Sequence, residues 1–437
     1  MNKLSLPSRR LTRTLALVAG TLISQAALAA PAWITLSADA LAVLQRMVPQ
    51  TQVVGTAQTP VAVPLSARSP ALQTRSETVH AVEIDEQWIE MLSLMVHREL
   101  ARCGGFVHHA SQAEALATLH RLSLADAQPS AVGPAPSYAI DNPKEVQALL
   151  PLMQGSHLLA TVDGLAAFQN RRHTSSHGVA ASDWLADKWR ALVPVGRKGV
   201  RVTQISHSGY PQKSVMLEIV GSTRAHESVV LGGHLDSIAS GTVEGARAPG
   251  ADDNASGIAA LTEIIRVMMA GNYVPSRTLR FIGYAAEEVG LRGSSDIAAD
   301  FLTRSEQVMG VLQLDMTAFQ GDSTDIWLYT DYTSALQNTF LAQLVNKYLP
   351  IYSVGYSACG YACSDHASWH NRGFRASFPH EASNANYNRT IHTLNDTTAT
   401  FGNSSAHMLK FAQLGLVYAV ELGSLPRGVR GAVALGN

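Results

Sequence analysis

Residues 229–237 read VVLGGHLDS. The run Val229, Val230, Leu231 has the β-branched, apolar bias of a buried strand, and it leads through two glycines to His234 and Asp236. Open α/β sheets bind ligands at the carboxyl ends of their strands. A strand that ends on an imidazole and a carboxylate therefore predicts a site at that edge. Further strand candidates cover 278–284, 308–314, 326–330 and 375–378. Between them, Ala255–Ala270 has Ile258, Leu261, Ile264, Ile265 and Met268 at helical spacing with Gly271 as a stop, and 336–348 and 405–422 also read as helices. The alternation predicts an α/β sheet with helices on both faces.

The other strand ends carry the same kind of residue. Glu287 and Glu288 follow the strand in FIGYAAEEVG (281–290), and Asp315 follows the one in GVLQLDMT (310–317). Asp253 sits in PGADDNASG (249–257) and His392 in YNRTIHT (387–393). Taken alone, PGADDNASG reads as a helix N-cap, because Asp and Asn accept hydrogen bonds from the free N–H groups of a first turn. That many acids on one rim, however, would force some of their number to protonate unless cations neutralise them. Imidazole and carboxylate donors without thiolate suit Zn²⁺, with Co²⁺ or Mn²⁺ as alternatives. The donor set suits two ions, with His234 and Asp315 on one, His392 and Glu288 on the other, and Asp253 shared.

The chain has 437 residues, 46% hydrophobic and 15% charged, with a formal net charge of −1. Its length predicts more than one folding unit, and the near-neutral charge without a basic run speaks against a nucleic-acid partner. Arg9, Arg10 and Arg13 precede an apolar stretch (15–23) and Ala27-Leu28-Ala29, the pattern of a secretory signal over 1–29. Residues 30–136 are expected to be a propeptide, 137–425 the catalytic domain and 426–437 a tail. Within the first of these, Trp88, Met91, Leu92 and Met95 predict the buried face of a helix, and 127–137 (AQPSAVGPAPS) reads as a linker. The paired His108 and His109 read as surface residues. A secreted location, extracellular or periplasmic, follows, with no membrane association once the signal is cleaved. Cys359 and Cys363 in CGYAC fit a small-loop disulfide, the alternative being two buried thiols; Cys103 is left over.

Other chemistries lack their signatures. His226-Glu227 and His380-Glu381 have no second histidine at zincin spacing, and no G-x-S-x-G elbow marks a serine hydrolase. Together GGHLDS, PGADDNASG, YAAEEVGLRGS, LQLDMT, CGYACSDHASWH and TIHT, with SHSGYPQKSV upstream, resemble the secreted bacterial leucyl aminopeptidases. The likeness runs from about residue 149 to 423. It implies a mixed, mostly parallel twisted sheet of eight strands sandwiched by helices, the zinc aminopeptidase fold, preceded by a small pro-region that assists folding and restrains activity. It implies two Zn²⁺ per chain held by His234, Asp253, Glu288, Asp315 and His392, Glu287 as general base, and Asp236 orienting His234. A substrate pocket of Met316, Tyr361, Cys363, Phe378, Tyr387 and Ile391 is likewise implied. Phe378 and His380 depart from the family's methionine and phenylalanine, and His380 makes one wall more polar. The implied partners are peptides with a free N-terminus and a protease that processes the propeptide, and the chain is expected to be a monomer. A one-zinc glutaminyl cyclase and a non-catalytic receptor-like module are the competing readings.

Overall fold

The computed structural model describes residues 31–102, 104–124, 136–239 and 245–425. The signal segment, Cys103, the linker up to residue 135 and the tail lie outside the described residues. The chain first forms β1 (Pro31–Ser37), α1 (Ala38–Met47), β2 (Val53–Ser66), β3 (Ser69–Asp85), α2 (Ile89–Leu100), β4 (Phe106–His109) and α3 (Gln112–Ser123). Its strands pair antiparallel in the order β2-β3-β1-β4. Ile34, Leu36, Val82, Leu92 and Val96 belong to a core between this sheet and α1 and α2. Among the described residues no helix is long and apolar enough to cross a membrane.

The second unit runs through α4 (Pro143–Leu149), α5 (Gly155–Ala166), α6 (Ser176–Leu192), β5 (Val200–Ile205), β6 (Ser214–Ile219), β7 (Arg224–His234), α7 (Ala255–Ala270), β8 (Arg277–Tyr284) and α8 (Arg292–Thr303). It continues with β9 (Gln307–Gln313), β10 (Ile326–Tyr329), α9 (Ala335–Tyr348), β11 (Val354–Ser357), α10 (His366–His370), β12 (Ala376–His380) and α11 (Ala406–Gly423). One eight-stranded sheet results, in the order β11-β10-β12-β9-β7-β8-β6-β5. The central strands β12, β9, β7 and β8 run parallel, which points their carboxyl ends to one edge. Strands covered on both faces read as continuous apolar runs, as β7 and β9 do. Helix α7 takes its N-cap from Asn254, whose Oδ1 accepts from the Gly257 amide at 2.9 Å. It lies buried almost all round because α5 and α11 pack over it. Gly257 is required there, since a Cβ would come 2.2 Å from the Leu314 carbonyl oxygen.

Two local expectations fail. β4 buries His109, whose Nε2 lies 2.9 Å from Thr35 Oγ1, and it half-buries His108, so neither is a free surface residue. Met91 is 44% exposed, whereas Leu92 is buried and Trp88 and Met95 are half-buried against the core, with Ile89, Leu94 and Val96 buried beside them.

The first unit docks on the second through ion pairs of one polarity. Glu86 meets Arg292 at 2.6 Å, Glu114 meets Arg372 at 2.8 Å, and Glu90 meets Arg172. The β2–β3 hairpin reaches the far edge of the large sheet, where Tyr356 N donates to Ala67 O at 2.9 Å and Thr330 Oγ1 to Ala62 O at 2.7 Å. Glu77 on β3 lines a cavity in this seam with Tyr332, Tyr361 and Asn371. Its Oε2 is buried without a hydrogen-bond partner. Burial, then the carboxylates of Asp331 and Asp39, push its carboxyl up to about 7 against the pull of Arg102. Between the ordinary carboxylate range and that value the folded chain binds more protons than the unfolded one, so stability declines as pH rises through this window. Glu77→Gln should remove this decline. The thermal midpoint of the parent should fall more than that of the variant between pH 5 and pH 8, and equal slopes would show that Glu77 does not carry the effect.

Candidate active site

The carboxyl edge of the sheet collects the sequence-predicted residues in one buried cluster. His234 is the last residue of β7, Glu287 and Glu288 follow β8, and Asp315 follows β9. Asp253 comes from the loop before α7, and His392 from the long connection between β12 and α11. His234 Nε2 lies 2.9 Å from Asp253 Oδ1 and 3.3 Å from Asp315 Oδ1. His392 Nε2 lies 2.7 Å from Glu288 Oε2 and 3.2 Å from Asp253 Oδ2. Asp253 thus turns one oxygen to each histidine, and each histidine faces one further carboxylate.

These groups suit metal better than they suit one another. Asp253 Oδ2, both oxygens of Glu288, Asp315 Oδ1 and both nitrogens of His392 are buried without a hydrogen bond, despite the short separations. Buried polar atoms are seldom left so, and atoms aimed at a common point without bonding one another fit coordination to a shared ion. Donor atoms of His234, Asp253 and Glu288 all lie within 4.8 Å of one another. The electrostatics agree. Burial opposes a charged His392, yet Glu288 and Asp253 raise it to about 10. His234 is likewise raised well above its ordinary value by Asp315 and Glu287, against burial. Burial opposes ionisation of Asp253 too, but the hydrogen bond with His234 and the attraction of both imidazoles hold its carboxyl far below the usual range. Both imidazole shifts express the pull of the clustered carboxylates on positive charge.

Glu287 is 4% exposed, and burial first, then nearby Asp365, Glu288 and Asp315, raise its carboxyl well above the ordinary value. Asp236 has a second role beside the expected one. Its carboxylate accepts the amides of Glu287 at 3.0 Å and Glu288 at 3.2 Å, and its Oδ1 is 3.5 Å from His234 Nδ1. The ring nitrogen is nearer the main-chain oxygen of Asp236, at 3.2 Å. Asp236 therefore orients His234 chiefly through its backbone, while its side chain holds the turn that carries the two glutamates.

Several supporting residues carry no signal in the spacing argument. Asp396 accepts the amides of Asp252 and Asp253, both at 3.0 Å. The fully buried Arg171 donates to the carbonyls of Leu235, Pro249 and Gly250 at 2.7, 2.6 and 2.8 Å, tying the end of β7 to the Asp253 loop. Ser364 donates to Asp315 Oδ2 at 2.5 Å. Ala286, Met316 and His392 adopt left-handed backbone (φ 55°, 52° and 56°). Such strain costs on the order of 1–3 kcal/mol per residue and concentrates at functional sites.

Beside the cluster, Met316, Tyr361, Cys363, Phe378 and Tyr387 line one cavity, together with Asp315, His380 and Asn384. Ile391 is fully buried behind Met316 and Tyr387 and does not line it. Cys359 and Cys363 are joined in a disulfide. Asp331 accepts the amides of Cys359 at 3.1 Å and Gly360 at 2.7 Å, which fixes the loop bearing Tyr361. The N-terminal unit closes over this mouth. The His97 ring is 4.6 Å from that of His392, and the Arg102 guanidinium sits 5.0 Å over Tyr361. The Ala101 carbonyl accepts from Tyr387 Oη and, at 3.1 Å, from Arg389 Nη1.

The model of Peptidase family M28 matches residues 214–417. A probable leucine aminopeptidase of Arthroderma otae is 34% identical over 288 residues, covering 64% of this chain and 76% of that protein. Among solved structures, LapB from Legionella pneumophila aligns with a TM-score of 0.72 at 28% identity, covering 90% of this chain and 100% of that one. The LapA aminopeptidase of the same organism gives the same TM-score at 26% identity, over 91% and 100%. A strand-end cluster of imidazoles and carboxylates, in a chain that matches on sequence and fold alike, places this protein in peptidase family M28.

Proposed function

We propose that this chain is a secreted aminopeptidase that hydrolyses the N-terminal bond of peptides with hydrophobic, leucine-like first residues, using two zinc ions. The observation that carries this reading is the arrangement of Asp253 between two histidines, each with its own second carboxylate. His234 and Asp315 would hold one zinc, His392 and Glu288 the other, and Asp253 both. Bound zinc supplies Lewis-acid polarisation of the scissile carbonyl and a more acidic water. Glu287 would take a proton from the water that attacks the carbonyl and deliver it to the leaving amine as the C–N bond breaks. Its burial and acidic neighbours raise its proton affinity, the direction that favours proton uptake by a general base. The cavity around Met316, Tyr361, Phe378 and Tyr387 receives the first side chain of the peptide, with His380 on its wall.

Residues 1–29 act as a signal, 30–136 as a propeptide and 137–425 as the peptidase, with 426–437 a tail. The separate four-stranded sheet of the N-terminal unit supports this division, as do the contacts of His97, Ala101 and Arg102 over the site. In this reading the unit restrains the zymogen until a protease cuts the connection.

The test is to count metals in the purified chain and assay leucyl anilide with and without chelator, beside an N-blocked control. Two zinc ions per chain and no turnover of the blocked substrate are expected. One zinc per chain, as in a glutaminyl cyclase, or equal turnover of the blocked substrate, would sink the reading. Glu287→Gln should keep both zinc ions and lose roughly 10²–10⁴-fold in kcat; near-normal kcat would remove Glu287 from the base role. Cleavage within 127–137 should raise kcat/KM for the anilide. An uncut chain as active as the cut one would refute restraint by the N-terminal unit.

A further inference from the structure

Segment 206–215 contains a hydrogen-bonded relay outside the metal cluster. His207 Nδ1 lies 2.9 Å from Asp296 Oδ2, and His207 Nε2 lies 2.7 Å from Ser214 Oγ. A carboxylate only accepts, so Nδ1 carries the hydrogen, and Nε2 meets the serine hydroxyl. This leaves the lone pairs of Ser214 Oγ for a donor, and the Ala285 amide supplies it at 3.0 Å. The order Ser, His, Asp matches that of a hydrolytic triad. Here, however, Ser214 is fully buried, and its Oγ is already engaged by an amide on one side and an imidazole on the other. His207 has a side chain 1% exposed and stacks on Tyr210 at 5.4 Å. Asp296, by contrast, is 53% exposed and lines a cavity of about 500 Å³.

What the relay holds is the turn that carries Glu287 and Glu288. Ala285 is the first residue after β8, and Ala286 takes the left-handed φ of 55° that swings the next two side chains inward. The next amide, Ala286 N, points to Gln212 Oε1 at 3.4 Å, and Gln212 Nε2 donates to Arg171 O at 3.0 Å. Asp236 takes the two amides after that. Four consecutive amides are thus received by side chains from two places. Gly293 seals the arrangement, since a Cβ there would lie 2.3 Å from Ala285 O and 3.0 Å from Ser214 Oγ.

We propose that Ser214, His207 and Asp296 are positioning residues: the relay fixes the Ala285–Ala286 turn and so aims Glu288 at its metal and Glu287 at the reacting water. This rests on the two-zinc reading above. Displacing reacting groups by a fraction of an ångström lowers the chemical step more than it lowers binding.

The test uses the zinc-loaded full chain and reads zinc loss to a chelator, kcat and KM for leucyl anilide, and thermal midpoint. Ser214→Ala should release zinc about tenfold faster and lower kcat about tenfold, with KM held within about twofold. Asp296→Ala, at an exposed position that does not threaten the core, should move both readouts in the same direction by about threefold. Asp296→Asn should restore them, because the amide oxygen still accepts from His207 Nδ1. Unchanged zinc retention and kcat in both alanine variants, or a lowered thermal midpoint alone, would overturn the proposal. Labelling of parental Ser214 by a fluorophosphonate would overturn it as well, by making the serine a nucleophile. A parent chain that binds no zinc would refute the metal reading itself, and is recognised before any variant is compared.

Discussion

The structure depends on holding several carboxylates together away from water. Asp253, Glu287, Glu288 and Asp315 are each at most 5% exposed and share one rim. Like charges at this spacing in a poorly polarisable interior repel strongly, and desolvation adds to the cost. Two imidazoles offset only part of it. The unbonded oxygens and the raised proton affinities of His234 and His392 both express a demand for cations that side chains alone do not meet. Divalent metal is the economical answer, and the rest of the sheet edge can be understood as scaffolding for it.

That scaffolding consists largely of other buried polar groups, each spent on backbone. Asp236 and Asp396 receive pairs of amides, Arg171 donates to four carbonyls, and Ser214 receives the amide just after β8. Behind the Asp253 loop, Asp252 accepts from Ala318 N at 3.0 Å and Asn388 Nδ2 at 2.9 Å, and Glu381 accepts from Phe319 N at 2.7 Å. A ligand is useful only if its main chain is fixed, and loops without a regular hydrogen-bond ladder need side chains to fix them. The left-handed residues at 286, 316 and 392 persist because of these anchors.

The N-terminal unit adds a second charge relation. Glu86, Glu90 and Glu114 all come from it, and Arg292, Arg172 and Arg372 all come from the peptidase unit. Uniform polarity fixes how the two surfaces meet, an effect of complementary charge that concerns orientation more than net affinity. It brings α2 over the site, with His97 at His392 and Arg102 at Tyr361.

The central strands, α7 and the strand-end residues were legible in the sequence because local rules produce them. Buried parallel strands are continuous apolar runs, α7 has its cap and stop in Asn254 and Gly271, and ionisable residues after a strand stand out against apolar neighbours. His234 lies beside Asp315 and His392 beside Glu288, in the groups that counting donors and charge assigns them. What only the tertiary structure decided depends on partners distant in the chain. His109 is buried because β4 pairs with β1, and Ile391 lies behind the pocket wall because the loop folds under Met316. Asp236 serves the amides of residues more than fifty positions away, and Ser214 the amide of Ala285. A hydrogen bond between distant segments leaves no period or spacing in the sequence, whereas burial and charge leave both.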